Sequence, residues 1–295
     1  MKKFAILLLA AAFLLTGCVT TEKKELYPAD ILAEALNHED HQIAFQAAKY
    51  LNHLEIEKEL CSAFADKLIR TDNPILQLRG CYLKAQILQK GTEYDRCIDK
   101  LKNAAFSGSG NVERLVALEA LFELNISPDL LETELLKDYF FSVTSSDEAR
   151  IYCAALLCNS NRNTGLSWLE EVLSRSSSNS TIQQQVITVL KKFNNLPSYS
   201  LRTVEKIANN PVNDDQLRTA AIFILLTNKR IQWETAEKKL QKFSANEAEL
   251  LPLYLTYSPD NGIPLIHQCA ASPNKSLQLL AAWSELYFSF PVKEK

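Results

Sequence analysis

The sequence predicts an all-α fold, an α-solenoid of stacked antiparallel helix pairs spanning residues 28–290. Three observations predict it. Apolar residues fall at i, i+3, i+4, i+7 and i+8, which is one face of a helix; Ala149, Tyr152, Cys153, Leu156 and Leu157 form one such set. The set itself recurs, beginning at Ile43, Leu78, Glu113, Ala149, Ile182, Leu217, Glu247 and Leu277, in steps of 30 to 36 residues. A period of that size marks stacked repeats rather than a closed bundle. Finally, Gly is scarce at 7 of 295 residues, good helix formers abound, and no strand-like alternation is sustained.

The chain opens on a different pattern. Lys2 and Lys3 precede an uncharged apolar run from Phe4 to Leu15, the n-region and h-region of a secretory signal. The run is shorter than the roughly 20 residues a membrane-spanning helix needs. Val19 to Tyr27 is polar and reads as a tether, which reaches about 35 Å when fully extended. Pro28 suits the first turn of a helix, where its missing N–H costs nothing. Three segments are therefore expected: a leader over 1–17, a tether over 18–27 and a helical-repeat domain over 28–290.

Within the repeats, the clearest copies are those at Ala149, Ile182 and Leu217. Between them lie second helices of another type, in which a small residue precedes a bulky one: Gly165 before Leu169 and Val172, Ala236 before Leu240 and Phe243. The small residue lets the two helices of a hairpin approach closely. Ser145 with Glu148 and Asn213 with Gln216 have capping-box spacing, and Asp40 is placed to cap the helix at Ile43. Ser107 to Gly110, Ser176 to Ser180 and Asn194 to Pro197 read as loops. A repeat cannot bury its apolar face alone, so it stacks on its neighbours and the two ends need caps.

Two resemblances add to this reading. Leu15-Thr16-Gly17-Cys18 resembles the lipobox of bacterial lipoproteins. That resemblance implies a diacylglyceryl thioether on Cys18, cleavage between Gly17 and Cys18, acylation of the new N-terminus, and hence a membrane held through lipid at the cell envelope. Val19 rather than Asp follows the cysteine, which in a two-membrane bacterium favours the periplasmic face of the outer membrane. Leu217 to Leu225 is similar to HEAT-type repeats, and the series Gly91, Tyr94, Asp95, Cys97, Leu101, Ala104 looks like the second helix of a tetratricopeptide repeat.

Charge and chemistry narrow the function. Lys and Arg total 32 against 35 Asp and Glu; without Lys2 and Lys3 the balance is 30 against 35. An acidic chain is not built to neutralise phosphates, so nucleic acid is not expected as a partner. Cys61, Cys81, Cys97, Cys153, Cys158 and Cys269 lie in a chain expected to be exported, where disulfides are allowed. Their 15 possible pairings stay open, and no CxxC is present. His38, Glu39, Asp40 and His41 form the only dense set of metal-ligand types, but a third ligand at a recognised spacing is missing, so no metal and no cofactor is expected. GxSxG, Walker, HExxH and GxGxxG motifs do not occur, and no catalytic residue is assigned. Arg79, Arg114, Arg150 and Arg218 each follow a repeat start. They are candidate partner-binding residues for an acidic protein surface; the other reading is a structural ladder paired with helix-end acids such as Asp147 and Asp215. The expected function is a lipid-anchored, noncatalytic scaffold or adaptor that binds a protein partner. The alternative is an envelope hydrolase or metal-dependent enzyme with an unrecognised site.

Overall fold

The computed structural model describes residues 27–107, 110–175, 179–243 and 247–289. The expected leader, Cys18 and nearly all of the expected tether lie outside them. Among the described residues the chain forms sixteen helices and no strand. They are α1 Pro28–Ala35, α2 His41–His53, α3 Lys58–Ile69, α4 Pro74–Leu88, α5 Thr92–Phe106, α6 Asn111–Glu123, α7 Leu130–Phe141 and α8 Asp147–Leu157. Then follow α9 Arg162–Arg175, α10 Ser180–Leu190, α11 Ser198–Asn209, α12 Asp215–Thr227, α13 Trp233–Leu240, α14 Glu247–Tyr257, α15 Pro259–Ala270 and α16 Lys275–Ser289. No helix among the described residues is long and apolar enough to cross a membrane.

The even-numbered helices are the eight repeat helices expected from the sequence, one per apolar set. Each packs on the next even helix, from α2 through to α16. Consecutive odd helices make far less contact, so the even helices form the inner layer and the odd helices the outer one. This settles which member of each hairpin faces inward. It also changes the picture of the ends. Instead of two separately capped termini, α16 packs against both α1 and α2, and the array closes on itself. The largest apolar cluster runs from Leu32 of α1 to Leu286 of α16. A smaller one, Leu251, Leu255, Ile266, Cys269, Leu280 and Ala281, fills the last hairpins; Tyr50 and Trp283 pack against both.

Local chemistry explains the boundaries. Asp40 caps α2 by accepting from the Gln42 N–H at 2.8 Å, as its position predicts. Neither of the two capping boxes read from spacing forms; in each the cap is the next residue along. Ser146, not Ser145, caps α8 through the Ala149 N–H, while Ser145 turns inward and donates to the Tyr139 carbonyl at 2.5 Å. Asp214, not Asn213, caps α12, and Asn213 donates to the Ile207 carbonyl at 3.0 Å. In both cases the first polar residue closes the preceding outer helix and the second opens the next inner one, a division of labour that spacing alone cannot show. A complete capping box does exist at Asp129 and Glu132, opening α7. Five inner helices are followed by a left-handed residue, Gln89 one position past the helix, Glu55, Asn125 and Lys229 two past and Asn195 five past, with φ from 55° to 59°.

The small residues act as expected. A Cβ on Gly165 would meet the Ala154 carbonyl oxygen at 2.6 Å and the Cys158 nitrogen at 2.7 Å, so α9 crosses α8 with backbones almost touching. Ala236 is fully buried at the equivalent place on α13. Lys84 is the one charged residue in the buried set; its Nζ lies 2.9 Å from Asp66 and 2.9 Å from the Ser62 hydroxyl, which offsets the cost of removing an ammonium from water.

Candidate functional site

Closing a ring of inner helices leaves a lumen, and polar side chains fill it. Their centre is Glu123 at the end of α6. Lys49 of α2 reaches its Oε2 at 2.8 Å, and Lys192, just past α10, reaches its Oε1 at 3.0 Å. Tyr82 of α4 donates its hydroxyl to Oε2 at 2.5 Å. Gln86 donates to the Tyr82 oxygen at 2.6 Å, and Asn52 donates to Gln86 at 3.3 Å. A further pair, Lys191 to Glu249 at 2.7 Å, joins the end of α10 to α14. These ion pairs link α2 to α6, α6 to α10 and α10 to α14. Each skips one inner helix, so the side chains bridge the lumen rather than neighbouring helices.

One turn before Glu123, Glu119 points to the same side of α6. It accepts the Tyr152 hydroxyl of α8 at 3.1 Å. The two carboxyls have opposite character. Burial by itself would raise the Glu123 pKa; the Lys49 and Lys192 ammoniums, with hydrogen bonds from Lys49 and Tyr82, overcome it and hold Glu123 at about 2. Burial raises Glu119, the charge on Glu123 adds to that, and the Tyr152 hydrogen bond and the two lysines only partly offset it. Burial and the neighbouring carboxylates also raise Tyr82 and Tyr152, so both phenols stay protonated donors.

Two cavities meet at this clamp. Gln46, Lys49, Tyr82 and Glu123 line both of them. The larger, about 690 Å³, opens among the C-terminal ends of the inner helices and includes Asn52, His53, Gln89, Asn125, Lys192 and Trp283. The smaller, about 240 Å³, lies on the other side and adds Phe45, Arg79, Val116 and Glu119. Trp283 stacks on Tyr50 with centroids 5.4 Å apart and donates its Nε1–H to His53 Nδ1 at 3.3 Å. The wall of the larger cavity is thus also the seam where the ring closes. Trp168 packs instead within the outer layer, on Phe140 of α7, and Trp233 of α13 packs on Tyr254 and Tyr257 of the inner helix α14.

The four candidate arginines all lie on inner helices but have separate partners. Arg79 sits over the Phe45 ring, 5.3 Å from its centroid, in the wall of the smaller cavity. Arg114 sits 4.5 Å over Tyr139 beside an outer groove. Arg150 pairs with Asp147 at 2.9 Å and donates to the Phe140 and Ser142 carbonyls at the end of α7. Arg218 pairs with Asp215 at 2.9 Å, donates toward the Ala208 carbonyl of α11 and lies 3.9 Å over Phe243. The last two have the geometry of the structural ladder: each neutralises an acid in its own first turn and satisfies carbonyls left open at the end of an outer helix.

Among the described residues no three His, Cys, Asp or Glu side chains gather closely enough to hold a metal ion. In the His38 segment, His38 Nδ1 accepts the Asp40 backbone N–H at 3.0 Å, and Asp40 is spent on its cap. All six described cysteines are buried free thiols, and burial pushes the Cys61 thiol up to about 11 and those of Cys153 and Cys158 to about 12.

Reading the sequence missed Lys49, Tyr82, Glu119, Glu123 and Lys192. The available signal was an inner helix carrying polar residues beside its apolar stripe, since Tyr152 and Gln185 stood within that stripe. The pairing partner of Glu123 lies 74 residues away, and only the closed ring brings the two together. No family model matches the chain, and no match is found among the curated proteins or the solved structures.

Proposed function

We propose that the chain is a noncatalytic binding module, held at the cell envelope through lipid on Cys18, that takes a segment of a protein partner into the larger mouth of its lumen. The carrying observation is the 690 Å³ cavity at one end of the ring. Its rim offers amides, Asn52, Gln86, Gln89 and Asn125, which match the donors and acceptors of a peptide backbone, beside the aromatic pair Tyr50 and Trp283. The Glu123 clamp forms a floor whose charges are already paired, which suits a preformed recognition site. Arg79 and Arg114 remain candidate partner contacts, because their guanidiniums border open cavities; Arg150 and Arg218 are read as holding helix ends.

The test is photocrosslinking in the native host from a photoreactive residue at Gln89, with another at Arg202 on the outer layer as the comparison. A defined protein captured from Gln89 and not from Arg202 supports the reading. Equal capture from both, or capture from Arg202 alone, contradicts it. Anchoring is tested separately: Cys18→Ser should abolish acyl labelling and release the protein from membranes.

One observation favours a second reading. Glu119 and Glu123 are carboxyls one turn apart whose environments push their pKa values in opposite directions, as in an acid–base pair. In that reading Glu119, its pKa raised by burial, is the general acid of a hydrolase. Glu123 already accepts from two lysines and a tyrosine, which leaves it little capacity as a base and places this reading second. A hydrolytic activity abolished by Glu119→Gln, with folding intact, would reverse the order.

A further inference from the structure

The sequence left 15 cysteine pairings open, and the structure reduces them. Cys81 of α4 and Cys97 of α5 stand level across one antiparallel hairpin, eight residues before and eight after Gln89 in the turn. Both are buried, at 2% and 4% exposure, the two thiols interact with each other, and one turn away Lys100 of α5 donates to Gln77 of α4 at 2.6 Å, which fixes this register. The remaining four point elsewhere. Cys61 donates toward the Ala48 carbonyl at 3.9 Å, Cys158 toward the Arg162 carbonyl at 3.9 Å, Cys153 lies inside α8, and Cys269 belongs to the smaller apolar cluster.

We propose that Cys81 and Cys97 form a disulfide when the chain folds under oxidising conditions, stapling α4 to α5. In the cell this rests on the reading that the chain is exported; the pairing itself does not.

The Lys100 charge beside Cys81 favours its thiolate, so the exchange is written with Cys81 as the attacking sulfur. Its thiolate attacks a small-molecule or protein disulfide, forming a mixed disulfide and expelling one thiolate of the oxidant. Deprotonated Cys97 then attacks the Cys81 sulfur and expels the second. Two S–H bonds are lost and one S–S bond forms; two electrons reduce the oxidant to two thiols, which take up the two protons. Because both sulfurs are buried in the finished fold, the exchange belongs to the folding stage, and the product is shielded from reductants afterwards.

The experiment refolds the reduced full chain in a glutathione thiol–disulfide buffer, alkylates free thiols in denaturant, and maps peptides by mass spectrometry without reduction. A linked pair containing Cys81 and Cys97, with Cys61, Cys153, Cys158 and Cys269 alkylated, is the expected result. Alkylation of all six, or another dominant pairing, overturns the proposal. A second measurement does not depend on any variant folding. The oxidised protein should melt about 5 °C above the same protein reduced, as closure of a loop of this length implies; equal melting of the two overturns the staple. Cys97→Ser should remove the dependence on reductant. Thiol trapping in whole cells separates the two readings: a correct pairing in vitro that is absent from cells contradicts export to an oxidising compartment, not the pairing.

Discussion

Glu123 is the residue on which the lumen depends. Its carboxylate is mostly shielded from water, at 17% exposure, yet stays ionised because two ammoniums and a phenol face it. A carboxyl whose folded pKa lies below its unfolded value of about 4.3 stabilises the fold above that pH and loses the contribution as pH falls toward the folded value. For Glu123 the window runs from about pH 4.3 down to about 2 and is worth roughly 3 kcal/mol. Glu119 acts in the opposite sense. Its raised pKa means that ionisation above the unfolded value is disfavoured in the fold, so stability falls as pH rises. Glu123→Gln should therefore lower the melting temperature at pH 7, by roughly 1–3 kcal/mol of stability, and flatten the acid limb of a melting-versus-pH curve. Glu119→Gln should raise it at pH 7. A Glu123→Gln variant that keeps the wild-type acid limb would show that the clamp is not formed. Neither residue was legible as a site in the sequence, because the side chains that pair with them lie on other helices far along the chain.

At the scale of elements the sequence was far more informative. The eight apolar sets fall on eight inner helices because each inner helix buries a continuous apolar stripe against its neighbours, and a continuous stripe is what the spacing detects. Caps were less legible. Ser145 and Ser146 differ by one position and have the same chemistry, and tertiary contact with Tyr139 decides between them. Gly165 was read correctly, since a residue without a Cβ in an amphipathic helix implies close approach. Gly165→Ala should cost about 1–3 kcal/mol, because the new methyl meets backbone atoms of α8 rather than a movable side chain. Thermal unfolding measures it; an unchanged or higher melting temperature would contradict the α8–α9 crossing. Arg150 and Arg218 illustrate the same link between sequence and packing. Each sits four positions into its helix, with an acid three residues earlier, and each reaches back to the carbonyl end of the preceding outer helix.

For the whole molecule, closure was the feature that local patterns could not reveal. A repeat period predicts stacking but not the turn per repeat, and eight equal repeats are compatible with an open superhelix as well as a ring. The deciding contacts lie between the first helices and the last: Trp283 on Tyr50 and His53, and Tyr287 stacked on both His53 and Trp283. Trp283→Ala removes the centre of that seam. Since Trp283 is half-buried, the expected cost is about 2–3 kcal/mol, and hydrogen exchange should accelerate first in α1, α2 and α16. Acceleration spread evenly over all helices would mean that the seam has no separate role.

The lumen, its clamp and its open mouth all follow from closure, so the most direct measurement is the shape of the protein in solution. Small-angle scattering from a chain beginning at Val19 tests it. A closed array of this length should give a radius of gyration of about 19–20 Å and a compact distance distribution. A value above about 25 Å with an extended tail would describe an open superhelix, and would contradict both the ring and the binding mouth built on it.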